Sequence, residues 1–401
     1  MVAETATKPL SLTISDDEAA LYDRQIRLWG LDAQNRLRNS TVLLVGLGGL
    51  GAEVAKNLML AGLKSLTLMD DRSITDADRT ANFFVTAADV GKNRAEASRA
   101  KCQELNPNVE LLVLPESISS KSDADFYSSF DLVVLTDVEA TVVQRVNGLC
   151  REAGAKFTAG GVFGFYGFAF IDFGDRHEFI EEAKAGEAPG TVPKSPVKCA
   201  AAEHVDQRTG EVTLDADSDS EDDDGDDLAA SACKRPRVED ASGDAQEASA
   251  TVELTGADET AADSKLVMKK SVMSFVPFGE AMNLDWGTKT LAGKVRRTLS
   301  PSYFAVKALM EAQTSGNSAD LQTAYLKVLK QHKMDPDTYR QKVADFESFT
   351  KNQFCPTCAI CGGILGQEII KALSQKDRPL YNFFTFDPIS SHGAVAQLPP
   401  L

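Results

Sequence analysis

The chain is short of the residues that several functions would require. Two tryptophans and four histidines, at 177, 204, 332 and 392, are spread over 401 residues. Two of these histidines fall in polar or terminal segments, which leaves few candidates for an imidazole proton relay. No stretch approaches the roughly 18 consecutive apolar residues of a membrane span. Met1–Ser11 lacks a basic region followed by an apolar run, so no secretory leader is expected. Seven cysteines, an odd number, do not read as a disulfide framework. These absences predict a soluble intracellular protein.

A surplus of positive charge is also missing. The formal net charge is −17, and residues 199–264 alone hold 20 Asp and Glu against 4 Lys and Arg. The acidity belongs to that segment, and the rest of the chain is close to neutral. A nucleic-acid-binding surface is therefore not expected. Hydrophobic content of 43% and charged content of 25% are ordinary globular values.

The patterning predicts an α/β fold. Ser15-Asp16-Asp17-Glu18 is a capping-box pattern, so a helix should start near Asp16 and run through Tyr22 to Leu28. Thr41–Val45 is a continuous apolar run of strand length, as expected for a strand buried on both faces. Leu50–Ala61 has helical spacing and stops at Gly62. Ser65–Met69, Val109–Leu114 and Leu132–Leu135 read as strands, and Asp89–Leu105 and Glu139–Ala153 as helices. This alternation gives a mainly parallel sheet with helices on both faces. The Gly- and Phe-rich stretch Phe157–Phe173 reads as a core strand or hairpin rather than an aromatic ligand box. Residues from about Glu182 to Ser264 are too poor in apolar side chains to offset ordering entropy and are expected to be disordered. Helices are predicted again at Thr298–Gln313, Asp320–Lys330 and Cys358–Leu373, with closing strands at Asn382–Phe386 and Gly393–Gln397.

Gly46-Leu47-Gly48-Gly49-Leu50-Gly51 lies between the first predicted strand and the next helix, the setting in which a glycine-rich turn can cradle a phosphate. Gly46, Gly48 and Gly51 would bring backbone amides up to the anion. Asp70, 19 residues past Gly51, is placed to accept hydrogen bonds from a ribose. A dehydrogenase would share both features, so they do not select the chemistry.

The upstream block Tyr22-Asp23-Arg24-Gln25-Ile26-Arg27-Leu28-Trp29-Gly30 is more specific. Together with the glycine turn it resembles the adenylation-domain family that activates ubiquitin-like proteins, of the Rossmann-like ThiF/MoeB type. Within that family the likeness is to the smaller, cysteine-domain-less subunit of SUMO-activating heterodimers. It extends to Val90–Ala97, His177-Glu178-Phe179 and Gly362–Leu373, and so to nearly the whole chain outside 185–265. The resemblance implies a pseudo-adenylation domain in two parts, 1–173 and 265–401, with an acidic linker, 174–264, where a catalytic cysteine domain would stand. It also implies that Arg24 acts in trans, on ATP phosphates bound by the partner subunit. The block's own alternative is that Arg24 and Arg27 pair with acids on their helix.

Departures from the family pattern accompany the likeness. Asp78 stands where a phosphate-facing Asn is usual, Ala81 where an Arg is usual, and Arg94 replaces a Lys. By the resemblance, Asp137 ends its strand near the position of the magnesium-binding Asp, with the register of the likeness favouring Val138. Two lost phosphate-binding groups and an added carboxylate predict a degenerate pocket. ATP and magnesium are then expected mainly on the partner, with none firmly bound by this chain. Cys199 and Cys233 lie in the acidic segment, whose charge should raise their thiols, so neither is expected to be a thioester nucleophile. Cys355, Cys358 and Cys361 lack a second ligand pair, so no metal site is expected. Lys234-Arg235-Pro236-Arg237 resembles a nuclear-localisation signal that an importin would read. Ser218 and Ser220 lie in an acidic run that resembles a kinase site.

The expected partners are thus a catalytic SUMO-activating subunit in a heterodimer, SUMO, a conjugating enzyme indirectly, and importin. No nucleic acid and no membrane is expected, and the expected location is the nucleus with some cytoplasmic chain. The rival readings are a NEDD8-activating-type regulatory subunit, which the short acidic linker argues against, and a Rossmann-type oxidoreductase.

Overall fold

The computed structural model describes residues 16–184, 266–283, 299–315, 321–332, 334, 352–387 and 391–398. The chain opens with three short helices, α1 (Asp16–Leu21), α2 (Asp23–Trp29) and α3 (Leu31–Arg38). The single helix predicted from Asp16 to Leu28 is therefore broken. Tyr22 is buried, with its hydroxyl accepting a hydrogen bond from Asn106 Nδ2 at 2.7 Å. That anchor interrupts the helix where the local pattern runs on. Ser15, the predicted cap, lies outside the described residues.

The first half of the sheet follows by strict alternation. β1 (Thr41–Val45), α4 (Gly49–Ala61) and β2 (Ser65–Met69) come first, then α5 (Arg94–Leu105) and β3 (Glu110–Leu114). A one-turn helix, α6 (Ala124–Tyr127), precedes β4 (Leu132–Thr136), α7 (Ala140–Ala153) and β5 (Lys156–Phe163). Strand order β3-β2-β1-β4-β5 is parallel throughout. The glycine- and phenylalanine-rich stretch is a hairpin of β5 with β6 (Tyr166–Asp172), fully paired from Phe157–Asp172 to Phe163–Tyr166. It is a core element, as expected. α5 starts later than predicted, because Gly91 has φ +87° and Asn93 caps the helix through the amides of Ala95 and Glu96.

β7 (His177–Lys184) pairs antiparallel with β8 (Leu266–Met273) as a separate ribbon. The segment assigned to linker from 174, and to disorder from about 182, therefore begins with a strand that runs to Lys184. Its partner strand lies beyond the acidic stretch, which local composition could not reveal. Residues 185–265, with Cys199, Ser218, Ser220, Cys233 and the Lys234–Arg237 cluster, lie outside the described residues. The chain then forms α8 (Phe278–Met282), α9 (Pro301–Ser315), α10 (Leu321–Gln331) and α11 (Cys355–Ser374). β9 (Phe383–Asp387) and β10 (His392–Ala396) extend the sheet antiparallel from β6.

Alternate residues of the central strands feed two cores. Leu43 and Val45 of β1 join one, with α7, α9 and α10; Val42 and Leu44 join the other, with α4 and α11. Both faces are buried, which is why these strands read as unbroken apolar runs. α11 lies close on α4 because Gly362 and Gly366 leave no side chain between it and Glu53 and Asn57. The segment leading into α8 is fixed by a buried ion pair. Arg151 holds Asp172 through Nε and Nη2, both at 2.8 Å, and donates to the Phe275 carbonyl; Asn147 bridges Asp172 and the Phe278 amide. No described helix is long and apolar enough to cross a membrane.

Candidate functional site

Strand order reverses between β1 and β4, and the carboxyl ends of these strands frame the crevice in which such sheets bind ligands. The glycine turn sits there as predicted. Gly46 has φ +94°, and a side-chain carbon on Gly46 or Gly51 would overlap the carbonyl oxygen of Thr136 or Gly46. Only glycine lets this turn close. Asn82 Nδ2 donates to the Leu47 carbonyl at 2.8 Å and props the turn from outside.

What faces the turn is protein. Gln353, just before α11, accepts from the Gly49 amide at 2.8 Å through Oε1. Its Nε2 donates to Asp137 Oδ2 at 2.6 Å. An amide side chain thereby supplies, at the start of α4, the acceptor oxygen that an anion would supply. Ala81 and Cys358 pack against Gly49 beside it. No motif reading marked Gln353, because it is 304 residues from Gly49 and its own surroundings carry no local signal.

Asp137, at the end of β4, has φ +56° and also accepts from the Val162 amide at 2.9 Å. Burial pushes its carboxyl above the usual carboxylate range, against the Val162 amide and the Arg72 charge, which pull it down. Asp137 therefore faces the crevice, and Val138 follows it on the same rim.

Asp70 is 3% exposed, and both of its oxygens are in use. Oδ2 accepts from the Leu47 amide at 2.7 Å, and Oδ1 accepts from the Arg72 amide at 2.9 Å and from Arg72 Nε at 3.1 Å. The predicted ribose acceptor thus ties the glycine turn to the strand end. Burial lowers the Arg72 guanidinium, but the charge and hydrogen bond of Asp70 outweigh it, and the net shift is upward.

Asp78 and Arg94 neutralise each other. Arg94 Nη2 lies 2.8 Å from Asp78 Oδ1, Nε and Nη2 also donate to Oδ2, and Nη1 is 4.0 Å from Asp70. The remaining crevice is a cavity of about 140 Å³. Ligand sites run from roughly 300 to 1,000 Å³. The carboxylates of Asp70, Asp71, Glu116, Asp137 and Glu139 line it, with Arg72 as the lone cation among the lining residues. Among the described residues, no group of three or more His, Cys, Asp or Glu could hold a metal ion.

Arg24 lies on α2, and the structure does not bring it into this crevice. Arg27, one turn on, pairs with Asp23 at 3.0 Å. Arg24 is exposed, and its side chain makes no hydrogen bond or ion pair among the described residues. The helix-internal pairing weighed for both arginines thus holds for Arg27 alone.

A crevice at the switch point of a doubly wound sheet, with a glycine turn at its base, defines a protein of the nucleotide-binding fold class. The ThiF family profile matches residues 22–400, and the chain belongs to the ThiF family. Among curated relatives, it is 36% identical over 397 residues to a SUMO-activating enzyme subunit 1 of Xenopus tropicalis, covering 95% of this chain and 96% of that protein. The Homo sapiens protein of the same name is 37% identical over 96% of this chain and 97% of its own length. That of Danio rerio is 35% identical over 95% of each.

Proposed function

We propose that this chain is the regulatory subunit of a heterodimeric SUMO-activating enzyme, supporting ATP-dependent adenylation and thioester formation on a catalytic partner. The observation that carries it is near full-length similarity, at 35–37% identity, to proteins named SUMO-activating enzyme subunit 1. The geometry supports a non-catalytic role. Every cation of the chain's own crevice is bound by a carboxylate, and the Gly49 amide is bound by Gln353.

In this reading ATP and magnesium sit on the partner, and none is firmly held here. Arg24 enters the partner's site. Adenylation builds negative charge on the departing pyrophosphate, and a guanidinium placed there stabilises the transition state more than bound ATP. The partner then takes SUMO as a thioester and passes it to a conjugating enzyme. Lys234, Arg235 and Arg237 would recruit importin, giving a mainly nuclear protein. An Ala replacement of all three that left nuclear accumulation of a tagged chain unchanged would remove that assignment.

Reconstitution tests the central reading. The chain alone should show no SUMO-dependent exchange of pyrophosphate into ATP, and adding a catalytic SUMO-activating subunit should restore it with a 1:1 complex on size exclusion. Exchange by the chain alone, or failure to form the complex, would refute it.

A further inference from the structure

Cys355-Pro356-Thr357-Cys358 opens α11, a helix of 20 residues, and no step of the proposed function uses it. A Cys-x-x-Cys at the start of a helix is the arrangement of thiol–disulfide chemistry in reduced proteins. The two sulfurs are placed unequally. Cys355 is exposed; Cys358 is fully buried, and both are reduced. Helix geometry sets the Cα atoms of residues three apart at about 5 Å. Disulfides span roughly 4.4–6.8 Å between Cα atoms. The backbone spacing of the two residues is therefore within the range that a disulfide spans.

We propose that Cys355 and Cys358 form a peroxide-sensitive dithiol that closes to a disulfide at the head of α11. The exposed Cys355, as thiolate, attacks one oxygen of hydrogen peroxide. The O–O bond breaks, hydroxide leaves and is protonated to water, and Cys355 becomes a sulfenic acid. The Cys358 sulfur attacks the sulfenic sulfur; the S–S bond forms, the S–O bond breaks, and the thiol proton leaves with the oxygen as a second water. The two thiols lose two electrons, and the peroxide gains them.

Cys361 does not compete. It is fully buried, and its sulfur is lodged where Gly167 leaves room for it on β6. Cys358, by contrast, packs against Gly49, with its sulfur 3.0 Å from where a Gly49 side-chain carbon would stand. Turning toward Cys355 lifts it off the glycine turn, so oxidation is felt beside the Gln353 bridge.

The test treats purified full-length chain with hydrogen peroxide, then alkylates, unfolds, digests with trypsin and weighs the peptide Asn352–Lys371. Two of its three thiols should become unavailable to alkylation, with a mass loss of about 2 Da mapped between Cys355 and Cys358. Dithiothreitol should restore both. Cys355→Ser, a surface change, should abolish the linkage and leave Cys358 alkylatable after unfolding. Cys355 carrying two or three oxygens beside a reduced Cys358 would overturn the proposal. So would a bond from Cys355 to any other cysteine, a Cys358–Cys361 bond, or no oxidation at all.

Discussion

Arg94 and Arg24 belong to the same fold and live in opposite surroundings. Arg94 is 13% exposed and lies between Asp78 and Asp70. Arg24 is exposed on α2, with no ion pair among the described residues. In the first region each arginine is answered by a carboxylate of the same chain. In the second, a guanidinium is held out on a helix with no carboxylate beside it among the described residues.

Three measurements would break or sharpen this contrast. The largest effect is expected from Arg24→Ala. In reconstituted heterodimer it should lower adenylate formation by roughly ten- to a thousand-fold, the scale of losing one transition-state donor. Assembly should persist, and Lys should rescue poorly because it lacks the forked geometry. Single-turnover adenylation beside size exclusion decides; an intact dimer of Arg24→Ala with normal adenylation would refute the role in trans.

Arg94→Ala should do the reverse. It strips a cation from two buried carboxylates and should destabilise the chain by about 3 kcal/mol. Urea unfolding should register this while adenylation by folded dimer stays near the unmodified level. A stable variant with lost activity would mean that Arg94 still serves chemistry.

The smallest effect concerns a buried base, His177. Burial, aided by the Lys156 charge, lowers the His177 imidazole to about 4. Its unfolded value is near 6.5, so the unfolded chain binds the proton more readily between these limits. The stabilisation is complete above about pH 6.5 and fades as pH falls toward 4, a loss of about 2 kcal/mol by pH 5. His332 is lowered to about 4 as well, chiefly by burial. His177→Phe should therefore remove about half of the histidine-linked acid sensitivity seen in unfolding curves at pH 7 and pH 5. An unchanged pH dependence would show that His177 does not titrate on unfolding.

Legibility followed the range of the signal. β1, β2 and the glycine turn were visible because buried parallel strands and a strained turn leave contiguous marks in sequence. The break at Tyr22 was not, since it depends on Asn106 and not on its neighbours in sequence. β7 and β8 became a ribbon only through pairing across the acidic stretch. At the site, the departures at Asp78 and Ala81 were legible as residue types in the sequence. The Asp78–Arg94 pair and the Gln353 bridge needed three dimensions, because their partners are 16 and 304 residues apart. The opposite state of Arg24 was likewise invisible: Arg24 and Arg27 share one motif, and only their surroundings separate them.

The pairing of β6 with β9 has a consequence during synthesis. The strand that covers β6 is encoded roughly 210 residues later, a delay on the order of ten to forty seconds on a ribosome. α11, which covers α4, emerges only shortly before it. The nascent amino-terminal half therefore spends that time with an open sheet edge and a bare apolar helix face. Translation speed and chaperone supply therefore act on this chain before the stability of the finished fold can.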